Sequence, residues 1–199
     1  MNVYFLKEDI SQYVIYPIPA DESRYFIYNA ESEEELAQKT PVLFEGQFAL
    51  VEKQPTPEHE WNGTEWVISP EKLTAIIAQR KEQLLSTLAN KADALKSGLL
   101  VGYPQTEIES FYRQEKEALA WKIDAKTETP MLSMIAKMRG VPFEILVEKV
   151  IEKANQLALA IGVIIGQRQK FEDALIAATT PEQLDEIEKG IDTWKFQTN

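Results

Sequence analysis

The stretch FEILVEKVIEKANQLALAIGVIIGQRQKFEDAL, residues 143–175, is the most regular part of the sequence. Its apolar positions alternate spacings of four and three residues, which is the a/d pattern of a heptad seam. The pattern predicts one long helix with a continuous apolar stripe, in which Arg168 is the only charged member. The stripe consists of Phe143, Val147, Val150, Ala154, Leu157, Ile161, Ile164, Arg168, Phe171 and Leu175.

Three ways of covering this stripe are open. It can be the core of an intramolecular bundle, the seam of a homo-oligomer formed through the helices, or a groove for a partner. We favour the bundle, because short amphipathic helices are predicted just before the stripe. A buried, unpaired guanidinium costs several kcal/mol, so Arg168 needs a carboxylate, for which Glu109, Glu115 and Glu117 are candidates.

Four further helices are predicted from their capping residues. Ser69-Pro70-Glu71 combines a capping hydroxyl, a proline at the first helical position and an acid that faces the helix dipole. Thr106-Glu107-Ile108-Glu109 has the form of a capping box. The helices are expected to run from Ser69 to Lys96 with Gly98 as terminator, from Thr106 to Ile123, from Thr129 to Gly140, and from Thr180 to near Trp194.

The first 68 residues are β-rich. Short runs of aromatic and β-branched residues predict strands at Val3–Leu6, Tyr13–Tyr16, Tyr25–Tyr28 and Phe44–Val51, and Glu31–Lys39 favours a helical turn. Asn62-Gly63 favours a type I′ turn, so a tight hairpin should carry Trp61 and Trp66 on its arms. The predicted fold class is therefore α+β: a small β-rich N-terminal domain over 1–68, a long connecting helix over 69–98 and a helical C-terminal domain over 104–199.

The composition is that of a globular protein. The chain has 199 residues, of which 44% are hydrophobic and 27% charged, so it can fold without a disulfide or a metal. It has no cysteine and one histidine, His59, which excludes thiolate catalysis and His-rich or thiolate metal sites. The longest strongly apolar run, residues 157–166, is too short to cross a bilayer, and no secretory signal is visible.

The charge of the chain is uneven. Residues 1–69 carry 4 basic and 13 acidic side chains, a balance of −9, whereas residues 70–199 carry 17 basic and 19 acidic ones, a balance of −2. The first region repels a polyanion and the second offers it no basic stripe, so we expect no nucleic-acid binding.

No constellation in the sequence favours catalysis. His59 lies between two glutamates without a nucleophile elbow or an oxyanion loop. The segment Gly98-Leu99-Leu100-Val101-Gly102 lacks the Lys-Ser/Thr of a phosphate-binding loop. The many glutamates before residue 66 are explained by a solvated acidic face. We therefore expect no enzyme activity, no cofactor and no metal site.

The two hairpin tryptophans are the candidate binding residues. Trp61 and Trp66 can close the core of the β-rich domain, anchor a protein interface, or stack on sugar rings. All three interpretations are open at the level of the sequence.

Two parts of the chain resemble the tail fibre assembly proteins of tailed bacteriophages of the Mu and lambda type. Residues 58–66, Glu-His-Glu-Trp-Asn-Gly-Thr-Glu-Trp, are similar to the His-x-Trp-Asn-Gly-x-x-Trp hairpin of that family. The region from Glu107 to Ala178 is similar to its helical part. The pieces that carry this second likeness are Glu117-Ala118-Leu119-Ala120-Trp121, Thr129-Pro130-Met131-Leu132, Arg139-Gly140 and Ile164-Ile165-Gly166-Gln167-Arg168-Gln169.

This resemblance implies a chaperone that binds the C-terminal, distal part of a phage tail fibre and promotes its folding and trimerisation. It implies action in the host bacterial cytoplasm during assembly, with some members staying on the fibre tip of the virion. It carries over no catalytic residue. Two alternatives from other classes are a carbohydrate-binding tip module that uses Trp61 and Trp66, and a minor structural tail component that oligomerises through its heptads.

Overall fold

The computed structural model describes residues 1–195, so the last four residues of the domain predicted over 104–199 lie outside it. The α+β class with a β-rich N-terminal part and a helical C-terminal part is confirmed. The chain divides into two compact units, a β unit over Met1–Ile76 and a helical unit that begins at Ile77. The elements are β1 (Asn2–Leu6), β2 (Asp9–Val14), β3 (Tyr25–Asn29), α1 (Glu33–Gln38), β4 (Lys39–Phe44), β5 (Gln47–Glu52), β6 (Glu60–Trp61), β7 (Trp66–Val67), α2 (Pro70–Leu99), α3 (Gln105–Ile123), α4 (Pro130–Arg139), α5 (Phe143–Ala177) and α6 (Pro181–Thr193).

The β unit is built around its first strand. β1 is the central strand of an antiparallel sheet of order β2-β1-β3, and Val3, Tyr4 and Phe5 are all buried there. The Phe48 ring of β5 lies 4.9 Å from the Phe5 ring and stacks on Phe26 at the same centroid distance. These aromatic contacts join the β4–β5 hairpin to the three-stranded sheet.

The strand predicted over Phe44–Val51 is confirmed from Gln47 onward as β5, but its predicted start is too early, because Phe44 belongs to β4 and the chain reverses at Glu45-Gly46. β4 and β5 pair antiparallel with Phe44 opposite Gln47, and the two residues between them both have positive φ, 47° at Glu45 and 80° at Gly46. Positive φ at both central residues matches the twist of paired strands. Glutamate at the first of these positions gave no turn signal, so the hairpin was missed.

Glu35 ties three parts of the β unit together. Its carboxylate accepts hydrogen bonds from the Tyr28 hydroxyl (2.7 Å), the Glu31 backbone N–H (2.8 Å) and the Lys39 ammonium (2.8 Å). These donors lie on β3, before α1 and at the start of β4. They favour the charged form, led by the Lys39 hydrogen bond, and lower the pKa of Glu35 to about 2.

The helical unit contains two cores, and α5 contributes to both. The N-terminal part of α5 packs with α3 and α4 around Ala118, Leu132, Ala136, Leu146 and Val147. Its C-terminal part packs with α2 and α6 around Leu84, Leu88, Ile164, Leu175, Leu184 and Ile191. Every member of the predicted stripe is buried or half-buried. Both ends of the stripe are therefore covered by helices of the same chain, as the bundle interpretation predicts.

The predicted partners of Arg168 are wrong. Its guanidinium lies 3.0 Å from the carboxylate of Glu172, one turn further along α5, and the two side chains are 34% and 37% exposed. Glu109, Glu115 and Glu117 lie on α3, which packs on the other half of α5. A half-exposed cation with a local partner needs no distant carboxylate.

Glu117 has a different role, which is to cap α4. Thr129 occupies the N-cap of α4 without a side-chain cap bond. The Glu117 carboxylate accepts the Leu132 N–H at 3.0 Å and the Arg113 Nε–H at 3.1 Å, and Glu117 is only 9% exposed. An anion at a helix N-terminus satisfies a free donor and complements the helix dipole.

Two predicted helix ends differ from the structure. Gly98 lies inside α2, which ends at Leu99, and the left-handed residue of the following turn is Gly102 with φ 93°. The capping box at Thr106 does not form, because α3 already begins at Gln105 after Pro104. The ends at Gly140 and Thr180 are confirmed: Gly140 is left-handed, and Thr180 forms a capping box with Gln183.

Cationic residues of α2 hold the ends of α5 and α6. The Lys81 ammonium donates to the Ile176 carbonyl (2.9 Å) and the Lys91 ammonium to the Asp192 carbonyl (3.1 Å). Both carbonyls lie in the last turn of their helix, where positive charge is favourable. Arg80 reaches Asp185 at 2.6 Å and Glu188 at 2.7 Å on α6.

We expect the β unit to lose stability below pH 4.5, because the lowered pKa of Glu35 stabilises the fold only while the carboxylate is charged. This contribution is complete above the unfolded value of 4.5 and disappears as the pH falls to about 2. The loss is measured by urea unfolding, with tryptophan fluorescence as the signal. The parent for these measurements carries Trp121→Phe and Trp194→Phe, so that only the hairpin tryptophans of the β unit fluoresce. Glu35→Gln should lower the midpoint at pH 7 and flatten its acid dependence, whereas Glu33→Gln in the same helical turn should do neither. Parallel pH curves for Glu35→Gln and the parent would contradict this role.

Glu117→Ala should destabilise the helical unit by about 1–3 kcal/mol, because it leaves the Leu132 N–H buried without an acceptor. Thermal or urea unfolding monitored by far-ultraviolet circular dichroism measures the loss. Glu109→Ala, an exposed acid on the same helix, should stay within about 0.5 kcal/mol of the parent. Equal losses for the two variants would show that Glu117 does not act as a cap.

Candidate functional site

The candidate site is the hairpin formed by β6 and β7. Trp61 and Trp66 are directly opposite each other in its ladder, and their rings meet edge to face with centroids 5.5 Å apart and an interplanar angle of 69°. Cross-strand aromatic pairs of this kind stabilise a short hairpin. The predicted hairpin with the two tryptophans on its arms is confirmed.

The turn of the hairpin is longer than the type I′ turn predicted from Asn62-Gly63. Four residues separate the two tryptophans, and the Asn62 N–H donates to the Glu65 carbonyl at 3.1 Å. Asn62 acts through its side chain, whose oxygen accepts the Thr64 and Glu65 N–H groups at 2.9 Å each. Only Gly63 has a positive φ, 100°. The side chain of Asn62 thus makes an Asx turn in place of a left-handed backbone.

The hairpin is fastened to the β4–β5 hairpin. The Trp66 indole N–H donates to the Glu52 carbonyl at 2.8 Å, and the Gln54 side-chain amide donates to the His59 carbonyl at 2.7 Å. A Cβ placed on Gly63 would lie 2.7 Å from the Phe44 ring. Since the ring leaves no room for it, glycine is required both for its φ and for this close approach.

These contacts limit what the two tryptophans can bind. Both side chains are half-buried, each covers one side of the other, and the only donor of Trp66 is already satisfied inside the β unit. The pair is therefore a rigid apolar surface rather than an open platform with free hydrogen-bond donors. Its assignment as a partner-binding site remains a prediction.

The surroundings of the hairpin are acidic. Glu58, Glu60 and Glu65 are exposed on it, and Lys72 pairs with Glu60. A hydrogen bond from the Thr56 side chain holds the pKa of Glu58 below its usual value, so this carboxylate is charged at neutral pH. Negative charge here opposes phosphate-bearing ligands and favours neutral or basic ones.

His59 has a structural partner. Its Nδ1 lies 2.9 Å from the Thr56 hydroxyl, within the loop that precedes the hairpin. Among residues 1–195, no cluster of three histidine, aspartate or glutamate side chains is placed to hold a metal ion. None of the helices in the described part of the chain has the length and apolar character needed to cross a membrane.

Sequence reasoning missed several apolar side chains that the β unit exposes. Leu43 and Phe44 precede the Glu45-Gly46 turn, and Phe44 contacts the Trp hairpin at Gly63. Tyr16 and Ile18 lie in the segment after β2, where Tyr16 is 86% exposed. The alternation Tyr16-Pro17-Ile18-Pro19 carried a signal, because neither proline has an N–H with which the segment could pair to a strand. Together with Tyr13 and Ile27 we call these residues the exposed apolar set of the β unit: Tyr13, Tyr16, Ile18, Ile27, Leu43 and Phe44.

Comparison with known proteins places the chain among phage-related sequences. A family model described as "HI1402 helical domain" matches residues 152–194, which span the C-terminal part of α5 and α6. A protein of Haemophilus phage HP1, named "Uncharacterized 23.3 kDa protein in lys 3'region", is 29% identical over 193 residues, or 96% of this chain and 94% of that protein. This nearly full-length similarity to a phage protein is the reason to regard the chain as phage-related. No solved structure matches the chain.

A second relative has a higher identity over a shorter length. It is an "Uncharacterized protein" of Haemophilus influenzae, 60% identical over 68 residues, which are 34% of this chain and 100% of that protein. The chain thus belongs to the same family as this Haemophilus influenzae protein.

Proposed function

We propose that this protein is a tail fibre assembly chaperone, which binds the distal, C-terminal part of a phage tail fibre and promotes its folding and trimerisation. The observation that carries the proposal is the β unit, where a rigid pair of tryptophans and the exposed apolar set are displayed on a strongly acidic background. The nearly full-length phage HP1 relative supports a phage setting for this activity.

The physical task of such a chaperone fits a binding surface without catalytic machinery. Strands of a trimeric fibre bury little until three chains meet, and their open edges aggregate in the meantime. A protein that covers the edges and apolar side chains of the fibre chain shifts the competition towards the trimer. Its own net charge of −11 opposes self-aggregation while apolar side chains are exposed.

The exposed apolar set has the chemistry needed to bind an unassembled fibre chain. Tyrosine and phenylalanine give large contact areas with few rotamers to order, which makes them effective interface anchors. Ile27 lies on β3, at one edge of the three-stranded sheet. An extended segment of a β-rich partner can add to such an edge through main-chain hydrogen bonds and place its side chains against the apolar set.

The carbohydrate-binding alternative has less support. Sugar-stacking sites combine an open aromatic face with free hydrogen-bond partners, whereas the two hairpin rings cover each other and the Trp66 N–H is bonded to Glu52. The acidic surroundings also oppose phosphorylated surface glycans. A minor structural role in the tail remains the second alternative, and it would require self-association.

Co-expression with the C-terminal portion of the cognate fibre should convert that fragment from aggregate into soluble trimer. Because the proposed action is binding alone, roughly one chaperone per fibre chain should suffice without ATP. Centrifugation followed by sedimentation analysis of the supernatant measures the yield of trimer. The same yield with and without this protein would refute the chaperone function.

Tyr16→Ser combined with Ile18→Ser should weaken chaperone action, because both side chains are exposed and contribute little to the fold. Loss of one interface anchor costs about 2 kcal/mol, or roughly 30-fold in affinity. Ile176→Ser, which removes an exposed apolar side chain from the helical unit, is the matched control and should leave the yield of trimer unchanged. If the two changes had equal effects, the exposed apolar set of the β unit would not be the surface that binds the fibre.

Oligosaccharides derived from lipopolysaccharide should give no saturable change in tryptophan fluorescence. The reason is that the only donor of Trp66 is occupied and the two rings cover each other edge to face. The titration is done with Trp121→Phe and Trp194→Phe in the background, so that only the hairpin reports. A saturable isotherm that Trp61→Ala abolishes would favour the carbohydrate module instead.

A further inference from the structure

One side of α5 carries exposed apolar residues that no helix covers. At 3.6 residues per turn, Glu152, Leu159, Val163, Gly166 and Lys170 fall on one side of the helix, opposite the buried stripe. We call these five residues and Gly162 the outer face of α5. Leu159 is 74% exposed and Val163 is 59% exposed. The other helices of the described helical unit pack on the buried stripe, so the outer face is free.

We propose that the outer face binds the same face of a second copy of this chain, with the two α5 helices antiparallel. The order of residues along the face is the reason to propose a second copy as the partner. Leu159 and Val163 lie two residues before and after position 161, and Glu152 and Lys170 lie nine residues before and after it. A two-fold axis at position 161 therefore brings each residue of these pairs opposite the other one in the second copy.

The charges fit this arrangement and oppose the parallel one. In the antiparallel pair, Glu152 faces Lys170 of the second copy, and the symmetry repeats the contact at the other end of the interface. In a parallel pair in register, Glu152 would face Glu152 and Lys170 would face Lys170. The apolar centre with opposite charges at its two ends is thus self-complementary only when one helix is reversed.

The glycines of the outer face have no other explanation within the fold. Glycine is among the least favourable residues inside a helix, yet a Cβ on Gly162 or Gly166 would have no close neighbour within 4 Å among residues 1–195. By contrast, a Cβ on Gly190 of α6 would lie 2.8 Å from the Phe171 ring. Gly190 is needed because a Cβ would collide with the Phe171 ring. We explain Gly162 and Gly166 in the same way, because a Cβ there would keep a second helix from approaching closely.

The proposed contact extends along about five turns of each helix. The segment from Glu152 to Lys170 spans 19 residues, which is about 27 Å of helix. Its apolar centre has charged residues at both ends, as interfaces between folded proteins do. This association involves no fibre chain, so its test does not depend on whether the proposed chaperone function is correct.

Sedimentation equilibrium of the full chain over a range of concentrations tests the proposal, and we expect a reversible dimer. Leu159→Glu combined with Val163→Glu should raise the dissociation constant about 100-fold or more, since it buries four carboxylates per dimer. Ile176→Glu is the matched control, because Ile176 is 69% exposed on the same helix but lies off the outer face. Specific association usually has a micromolar or lower dissociation constant. A chain that is monomeric at every concentration up to about 0.2 mM would therefore overturn the proposal.

Charge reversal tests the antiparallel register. Glu152→Lys and Lys170→Glu should each weaken the dimer about tenfold, because each places like charges opposite each other at both ends. The double variant restores both pairs in the antiparallel arrangement and should regain the parent dissociation constant. Failure of the double variant to recover would overturn the register, and circular dichroism melts that match the parent exclude misfolding as the cause of any loss.

Discussion

The helical unit depends on the unbroken apolar stripe of α5. This helix has 35 residues and extends about 52 Å, which is longer than a single small core can cover. The N-terminal part of the stripe packs in one core with α3 and α4, and the C-terminal part packs in a second core with α2 and α6. A shift of the four-three spacing at any point would turn one core away from its partners while leaving the other in place. The regularity of the stripe is thus what joins two small bundles into one unit.

Around this framework, charged side chains satisfy backbone groups that lie far away in the sequence. Glu117 of α3 caps α4, and Lys81 and Lys91 of α2 bind the last carbonyls of α5 and α6. Helix ends and short strands leave donors and acceptors open, and here distant side chains close them. The polar groups therefore fix the relative positions of elements that the apolar contacts alone leave free to slide.

The parts of the structure that the sequence predicted correctly are those that depend on local chemistry. The long α5 follows from its spacing, and the boundaries at Gly140 and Thr180 follow from a left-handed glycine and a capping box. Two errors were local as well: α3 begins at Gln105 directly after Pro104, and Arg168 pairs with Glu172 one turn further along its own helix. At the candidate site, the tryptophan pair was predictable from Asn62-Gly63. The Phe44 ring against Gly63 and the bond from Trp66 to Glu52 were not, because both join segments that are separate in the sequence.

The placement of α2 has a consequence for synthesis on the ribosome. The core of α3, α4 and the first half of α5 is contiguous in the chain and can close as soon as it emerges. The apolar side of α2 waits longer, since Arg80 lies 108 residues before its partner Glu188. Leu84 and Leu88 share their core with residues of both α5 and α6, so they are incompletely covered until α6 leaves the exit tunnel. The nascent chain therefore carries a partly exposed hydrophobic helix from the emergence of α2 until α6 has packed on it.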